Sequence, residues 1–101
     1  MKLHALAPAR LELDEALAYY ADIHPDLADV LFKEIIRSRK LIEQFPHAWM
    51  NMAHGVHGFI VRGYPYTIVY EVLGEDIWVV AYAHHKRRPA YWRKRLQQIP
   101  K

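Results

Sequence analysis

The stretch that decides the fold runs from Tyr66 to His84 and reads YTIVYEVLGEDIWVVAYAH. Apolar side chains recur at every second position on both sides of its centre, and this period of two is typical of β-strands. The residues Gly-Glu-Asp at 74–76 interrupt the alternation and predict a turn between two antiparallel strands. The second strand, which starts at Ile77, is apolar on both faces at first, so we expect it to lie centrally in a sheet.

Strict alternation assigns the side chains of the second strand to two faces. One face carries Ile77, Val79, Ala81 and Ala83, and the other carries Trp78, Val80, Tyr82 and His84. Just upstream, Pro65 suits the start of the first strand, where its missing N–H does no harm. A further short strand is predicted at Phe59–Arg62.

Two upstream segments show a helical period of three to four residues. The first helix is predicted from Pro8, with an apolar face of Leu13, Leu17, Tyr20 and Ile23. The second is predicted from Pro25, with a face of Ala28, Leu31, Phe32, Ile35, Ile42 and Phe45. Because only His24-Pro25 separates the two patterns, the helices should form an antiparallel hairpin.

The remaining segments complete an α+β prediction. Residues 2–6 form a short N-terminal strand, and residues 46–58 form mostly loop. Pro89 opens a short C-terminal helix in which Trp92 and Leu96 pack on the sheet. The expected architecture is an antiparallel two-helix hairpin packed on a mostly antiparallel sheet of about four strands.

Composition limits the classes of protein. A chain of 101 residues and 12.0 kDa is a single domain, 1–101. The absence of cysteine excludes disulfide scaffolds, thiolate zinc sites and cysteine nucleophiles. No apolar run approaches the roughly 20 residues that span a bilayer, and the first ten residues do not resemble a signal peptide. We therefore expect a cytoplasmic protein that does not enter the membrane.

Positive charge is concentrated at the C-terminal end. The net charge is +3 overall, but residues 84–101 hold seven Lys or Arg and no acid. Such a segment is either the solvated face of a helix or a surface for phosphate groups or an acidic partner. His84 and His85 are adjacent at the end of a strand and therefore point to opposite faces.

No cofactor or metal is predicted. The pair His54 and His57 has a spacing found in metal sites, but no carboxylate or thiolate accompanies it, so the signal is weak. The chain contains neither a glycine-rich phosphate loop nor a serine-nucleophile motif. A nucleotide-dependent enzyme and a serine hydrolase therefore find no support.

Two motifs, taken together, resemble those of a known family. The first runs from Arg62 to Tyr70 (RGYPYTIVY) and the second from Ala83 to Arg93 (AHHKRRPAYWR). In this order and spacing they resemble the RelE/ParE superfamily of type II toxins, the plasmid stabilisation proteins of bacterial toxin–antitoxin pairs. The segment 16–20 is similar to part of that family's first helix, so the resemblance covers nearly the whole chain.

The resemblance implies growth inhibition and an acidic antitoxin as partner, in a toxin–antitoxin hetero-oligomer. ParE-like members bind DNA gyrase, whereas RelE-like members cut mRNA on the ribosome without a metal. In that cut the ribose 2′-OH attacks the adjacent phosphate, which requires a proton acceptor, cations and a proton donor for the leaving oxygen.

Carried over to this chain, the family's site residues give a mixed result. A nuclease would use His84, His85, Arg62 and Tyr91 as its catalytic residues. The residues implied to bind phosphate or a partner are Arg62, Lys86, Arg87, Arg88, Arg93 and Arg95. The nuclease branch carries a basic residue where this chain has Thr67, which favours gyrase-directed binding. The basic, histidine-rich strand end favours the mRNA endoribonuclease, and a non-toxic binding remnant is a third reading. Whether the protein is an enzyme stays open.

Overall fold

In the computed structural model, which describes all of residues 1–101, a strand leads into two long helices and then into the rest of a five-stranded sheet. The strands are β1 (Lys2–Ala5), β2 (Met50–Asn51), β3 (His57–Ile60), β4 (Tyr66–Leu73) and β5 (Asp76–His84). The helices are α1 (Ala7–Ile23) and α2 (Pro25–Gln44), and short 3₁₀ turns cover Ala53–Gly55 and Arg93–Gln98. The predicted α+β fold is confirmed, with five strands rather than about four.

A single residue, His24, joins the two helices into the predicted hairpin. Its backbone N–H donates to the Tyr20 carbonyl at the end of α1, over 3.0 Å. Its ring Nδ1 accepts from the Asp26 N–H in the first turn of α2, over 3.1 Å. Pro25 fits that same turn because the first helical residue needs no N–H donor. Neither α1 nor α2 contains an apolar stretch of the length that a transmembrane helix requires.

The buried face of the hairpin agrees with the prediction only in part. Leu31, Ile35 and Ile42 are buried, and Leu13, Leu17 and Tyr20 pack against the same core. Ile23, Phe32 and Phe45 were predicted on this face but are exposed. Ile23 ends α1 and Phe45 follows α2, so the period of the pattern continues beyond the part of each helix that faces the core. Phe32 follows the buried Leu31 directly, and a step of one residue turns its side chain by about 100° around the helix, away from the core.

The strands lie in the order β1-β5-β4-β3-β2, with β1 parallel to β5 and all other pairs antiparallel. The predicted turn is a two-residue loop in which Gly74 has a φ of 59°, a conformation that glycine adopts at little cost. β2 lies in the segment predicted as loop, because two residues are too few to show a period. The strand predicted at Phe59–Arg62 covers His57–Ile60 instead, and Arg62 lies in the turn before β4.

A β-bulge in β5 changes which side chains share a face. Tyr70 pairs with Val79 and its predecessor pairs with Ala81, so Val80 is an extra residue in β5. Beyond the bulge the alternation shifts by one residue. Tyr82 therefore packs in the core beneath the helices, and Ala81 packs on the other side of the sheet. The predicted faces of all four residues from Ala81 to His84 were wrong, because strict alternation does not anticipate an inserted residue.

The C-terminal segment, residues 85–101, covers the sheet face opposite the helices. Trp92 and Ile99 are 3% and 4% exposed and pack there against strand residues, which confirms the predicted packing of Trp92. The predicted helix from Pro89 is wrong at its start. Pro89 and Ala90 instead form a turn, closed by the Tyr91 N–H donating to the Arg88 carbonyl over 3.3 Å, and only 93–98 are helical.

Candidate binding surface

The C-terminal segment is held against the sheet by a glutamate on α1. Strand β1 ends where Ala5 pairs with Val79, so the edge of β5 beyond that point has no neighbouring strand. Glu12 Oε1 accepts a hydrogen bond from the free Tyr82 N–H (3.2 Å). Arg95 donates to both the Val80 carbonyl (3.1 Å) and Glu12 Oε1 (2.7 Å). Two side chains thus satisfy strand-edge groups that would otherwise lack partners.

Tyr91 is part of the same network. Its hydroxyl donates to Glu12 Oε2. The Arg87 guanidinium carbon lies 3.9 Å from the centre of its ring, and that of Arg95 lies 5.2 Å away. Burial raises the pKa of Tyr91, and the hydrogen bond to Glu12 raises it further. Tyr91, predicted as a catalytic residue of a nuclease, therefore holds its proton against Glu12 rather than offering it to a substrate.

His84 lies on the helix side of the sheet. Its Nδ1 accepts from the Lys86 N–H over 3.1 Å, so in the neutral ring the proton is on Nε2. The ring meets that of Tyr66 edge-on, with centroids 5.1 Å apart. It lines a shallow cleft of about 200 Å³ together with Arg87 and Glu15. In this state His84 can donate a proton from Nε2 but cannot accept one there.

His85 is directed away from that cleft. Its Nε2 lies 2.9 Å from Thr67 Oγ1, which is on β4 and is only 8% exposed. The two histidines therefore have different surroundings, as their adjacency in a strand predicts. Thr67 is a hydrogen-bond partner for His85.

The structure does not bring Arg62 into the basic cluster. Arg62 is 76% exposed, and its Nε lies 3.6 Å from Glu34 Oε1 on α2. Glu34 is bonded more closely to Arg37, whose Nη2 is 2.6 Å from the same oxygen. The hydrogen bond from Arg37 lowers the pKa of Glu34, with a smaller contribution from the charge of Arg62. In addition, β4 separates the strand that precedes Arg62 from β5.

The other predicted cations form an exposed surface. Lys86, Arg87, Arg88, Arg93 and Lys94 are exposed, and none of them makes an ion pair within 4.0 Å. Three of them, Arg88, Arg93 and Lys94, line a depression of about 450 Å³ beside the Pro89–Ala90 turn. We call these five residues the basic surface. Arg95, also predicted to bind phosphate or a partner, is paired with Glu12 and is not part of it.

The two histidines with metal-like spacing have other contacts. His57 stacks on Tyr70 with ring centroids 5.3 Å apart, and its Nδ1 lies 3.2 Å from the Trp49 carbonyl oxygen. His54 meets the ring of Trp92 edge-on. No cluster of three or more His, Cys, Asp or Glu side chains that could hold a metal ion is present.

Glu12 is the site residue that the sequence analysis missed. It falls among the apolar residues of α1, between the buried Ala9 and Ala16, where a carboxylate is costly unless it is paired. That position was a usable signal for a buried polar contact. It could not reveal the partner, because Tyr91 and Arg95 are 79 and 83 residues away along the chain.

Comparison with known proteins gives two informative matches. The chain is 30% identical over 79 residues to Toxin ParE2 of Mycobacterium tuberculosis, in strains CDC 1551 / Oshkosh and H37Rv, covering 77% of this chain and 75% of that protein. It also superimposes on a structure described as the chromosomal ParDE TA system from P. aeruginosa, with a TM-score of 0.74 and 20% identity. That match covers 83% of this chain and 95% of the other, and it supports the fold alone. No family model matches the chain.

Proposed function

The chain belongs to the ParE family of toxins, which act in toxin–antitoxin systems, and we propose that it inhibits growth by binding DNA gyrase rather than by cutting RNA. One observation carries the proposal. Of the four side chains that a nuclease would need, His84, His85 and Tyr91 make hydrogen bonds within the molecule, whereas the cations of the basic surface are exposed and make no ion pair.

The proton transfers of RNA cleavage are poorly supplied by the predicted residues. His84 Nδ1 already accepts from the Lys86 N–H and is not free to take the proton of the ribose 2′-OH, and His85 Nε2 is hydrogen-bonded to Thr67. Tyr91 is committed to Glu12. Arg62 lies beside Glu34, which competes with any phosphate for its charge. Cleavage that used His84 as the proton acceptor and Tyr91 as the donor would require the contacts of both side chains to be broken first.

A binding function needs only what the basic surface already has. Its arginines and lysines lie on the C-terminal segment, which is held in place by the packing of Trp92 on the sheet and by the hydrogen bonds of Arg95 to Glu12. Cationic side chains on a segment whose backbone is held in place lose less conformational entropy on binding than cationic side chains on a disordered tail. A surface of one charge sign also speeds encounter with an acidic partner such as a protein–DNA complex.

The test pairs two equally charged double variants of the purified toxin. One replaces Arg93 and Lys94 with Gln, and the other replaces Lys33 and Lys40 with Gln on α2. Each variant is measured for inhibition of gyrase supercoiling and, in parallel, for mRNA cleavage on ribosomes by primer extension. We expect inhibition of gyrase only, weakened about tenfold in the first variant and unchanged in the second.

If the wild type cut ribosome-bound mRNA and did not inhibit gyrase supercoiling, the proposal would be overturned in favour of the endoribonuclease. The observation that favours this second function is that His84 Nε2–H faces a cleft shared with Arg87. Inactivity in both assays and in growth would indicate a non-toxic binding remnant.

The proposal includes an acidic antitoxin as partner. Exposed apolar side chains lie near the tip of the helical hairpin, at Tyr19, Ile23, Leu27 and Val30. A disordered segment that carries acidic and apolar residues would fold over these side chains and the basic surface. Arg88→Glu should weaken antitoxin binding, and the loss should shrink in high salt. An affinity unchanged at low salt would contradict this part.

A further inference from the structure

A second polar site lies between the two helices, away from the basic surface. It is a cleft of about 310 Å³ lined by Ala5, Arg10, Leu13, Asp14, Arg39 and Tyr82. The Tyr82 side chain rises from β5 beneath α1 and is 3% exposed, yet its hydroxyl has no hydrogen-bond partner. Buried hydroxyl groups are almost always paired, so an unpaired one that lines a cleft requires an explanation.

A neighbouring tyrosine shows what a purely structural role looks like. Tyr70, on the adjacent strand, is also fully buried, but its hydroxyl donates to the Pro46 carbonyl over 2.7 Å. Tyr82 has no such acceptor. If the residue only filled space, a phenylalanine would fill it without leaving a donor unpaired. Burial raises the pKa of Tyr82, so the hydroxyl keeps its proton and remains a donor.

The charges around the hydroxyl favour an anion. Arg39 makes no ion pair within the protein. Its guanidinium lies close enough to the Tyr82 hydroxyl for its charge and a hydrogen bond to lower the pKa of that group, against the larger effect of burial, but it offers no acceptor for the hydroxyl proton. Arg10 Nη1 donates a hydrogen bond to the Ala5 carbonyl over 2.7 Å, and the remaining N–H groups of its guanidinium are free. Asp14 is the one acid in the lining. The cleft therefore carries a single net positive charge beside a buried donor.

We propose that this cleft binds a carboxylate, and that its occupant is an acidic side chain of the antitoxin. A carboxylate carries the single charge that balances the cleft, and its two oxygens match one guanidinium and one hydroxyl donor. A phosphate would bring a second charge against Asp14. The choice of occupant rests on the proposed antitoxin partner. The cleft itself rests on Tyr82 and Arg39 alone.

The experiment uses the full chain and two probes. Sodium acetate is titrated at constant ionic strength while the side-chain N–H resonance of Arg39 is followed by NMR, with inorganic phosphate as a second series. Affinity for the purified antitoxin is measured separately. The variants are Tyr82→Phe and Arg39→Gln, and Lys40→Gln is the control that removes the same charge from the next position of α2.

We expect acetate to shift the Arg39 resonance more than phosphate does, and Tyr82→Phe to abolish the shift. Tyr82→Phe and Arg39→Gln should each weaken antitoxin binding by about tenfold or more, as expected for a lost charge-assisted hydrogen bond, while Lys40→Gln should not. Tyr82→Phe should fold at least as stably as the wild type, since it removes an unpaired buried donor. Weaker binding in this variant cannot then be attributed to unfolding.

Three results would overturn the inference or part of it. An acetate shift that is unchanged in Tyr82→Phe would show that the cleft is not the site. An acetate shift lost in Tyr82→Phe, with antitoxin affinity unchanged in both variants, would overturn the antitoxin as occupant. If the wild type did not bind the antitoxin at all, the proposed partner would fail, while the acetate series would still decide the cleft.

Discussion

Two glutamates, one on each helix, are both paired with arginine, and they differ in what else they hold. Glu12 binds Arg95, which is 18% exposed, and also a tyrosine hydroxyl and a backbone N–H at the edge of β5. Glu34 binds Arg37 and lies near Arg62, which are 39% and 76% exposed. The residue types are the same. Only the first pair closes a gap in the sheet, so only the first should matter greatly for the fold.

Removing the Glu12 carboxylate should cause the largest effect. In Glu12→Ala the Tyr82 N–H, the Tyr91 hydroxyl and Arg95 lose their acceptor together, and we expect a loss of about 3 kcal/mol in the free energy of unfolding. Glu12→Gln should fall between this variant and the wild type, because the amide oxygen keeps one acceptor. Urea unfolding followed by tryptophan fluorescence measures the loss.

The matched control is Glu34→Ala, which should cost far less, because its arginines remain solvated. Hydrogen exchange should also distinguish the two variants. Protection of residues 85–99 should fall in Glu12→Ala and stay unchanged in Glu34→Ala. Equal losses of stability would show that the Glu12 network has no special role at the sheet edge.

A smaller effect should follow from Tyr91→Phe. The variant removes the hydroxyl that donates to Glu12 but keeps the ring on which Arg87 stacks. We expect a loss of about 1–2 kcal/mol in the free energy of unfolding, as for a hydrogen bond to a charged group. The control is Tyr66→Phe, because no hydrogen bond of the Tyr66 hydroxyl is present, and this change should be near neutral. Gyrase inhibition by Tyr91→Phe should persist, since the basic surface remains.

The elements with a local period were predictable, and the contacts that define the site were not. The hairpin and strands β4 and β5 follow from alternation and from His24-Pro25, which are visible within a few residues. The bulge at Val80 was not visible, because an inserted residue is defined by the pairing of two strands. The role of Glu12 depends on partners that are far away along the chain. Arg62 pairs with Glu34 on α2 and does not join the basic cluster, although its motif had suggested that it would.

Lowering the pH should weaken the contribution of the Glu34–Arg37 pair to stability, because the pKa of Glu34 is lowered in the folded state. The hydrogen bond from Arg37 lowers the pKa of Glu34 below its ordinary value of 4.5. A carboxyl group with a lowered folded-state pKa stabilises the protein above its unfolded-state pKa and loses that contribution as the pH falls through the folded-state value. The difference in stability between the wild type and Glu34→Gln should therefore be present at pH 7 and shrink below pH 4.5. A difference that grew in acid would contradict the assignment.

The smallest effect on stability should come from Arg62→Gln. This variant is informative because the gyrase-binding function and the nuclease function predict opposite effects on toxicity. The side chain is 76% exposed and its one ion pair spans 3.6 Å, so the melting temperature should not change. A gyrase binder that uses the basic surface should keep its toxicity, because Arg62 lies apart from that surface. A nuclease that holds phosphate with Arg62 should lose growth inhibition while the protein stays folded. Growth after induction, measured beside circular dichroism of the purified variant, distinguishes the two, and loss of toxicity in a folded Arg62→Gln protein would count against gyrase binding through the basic surface.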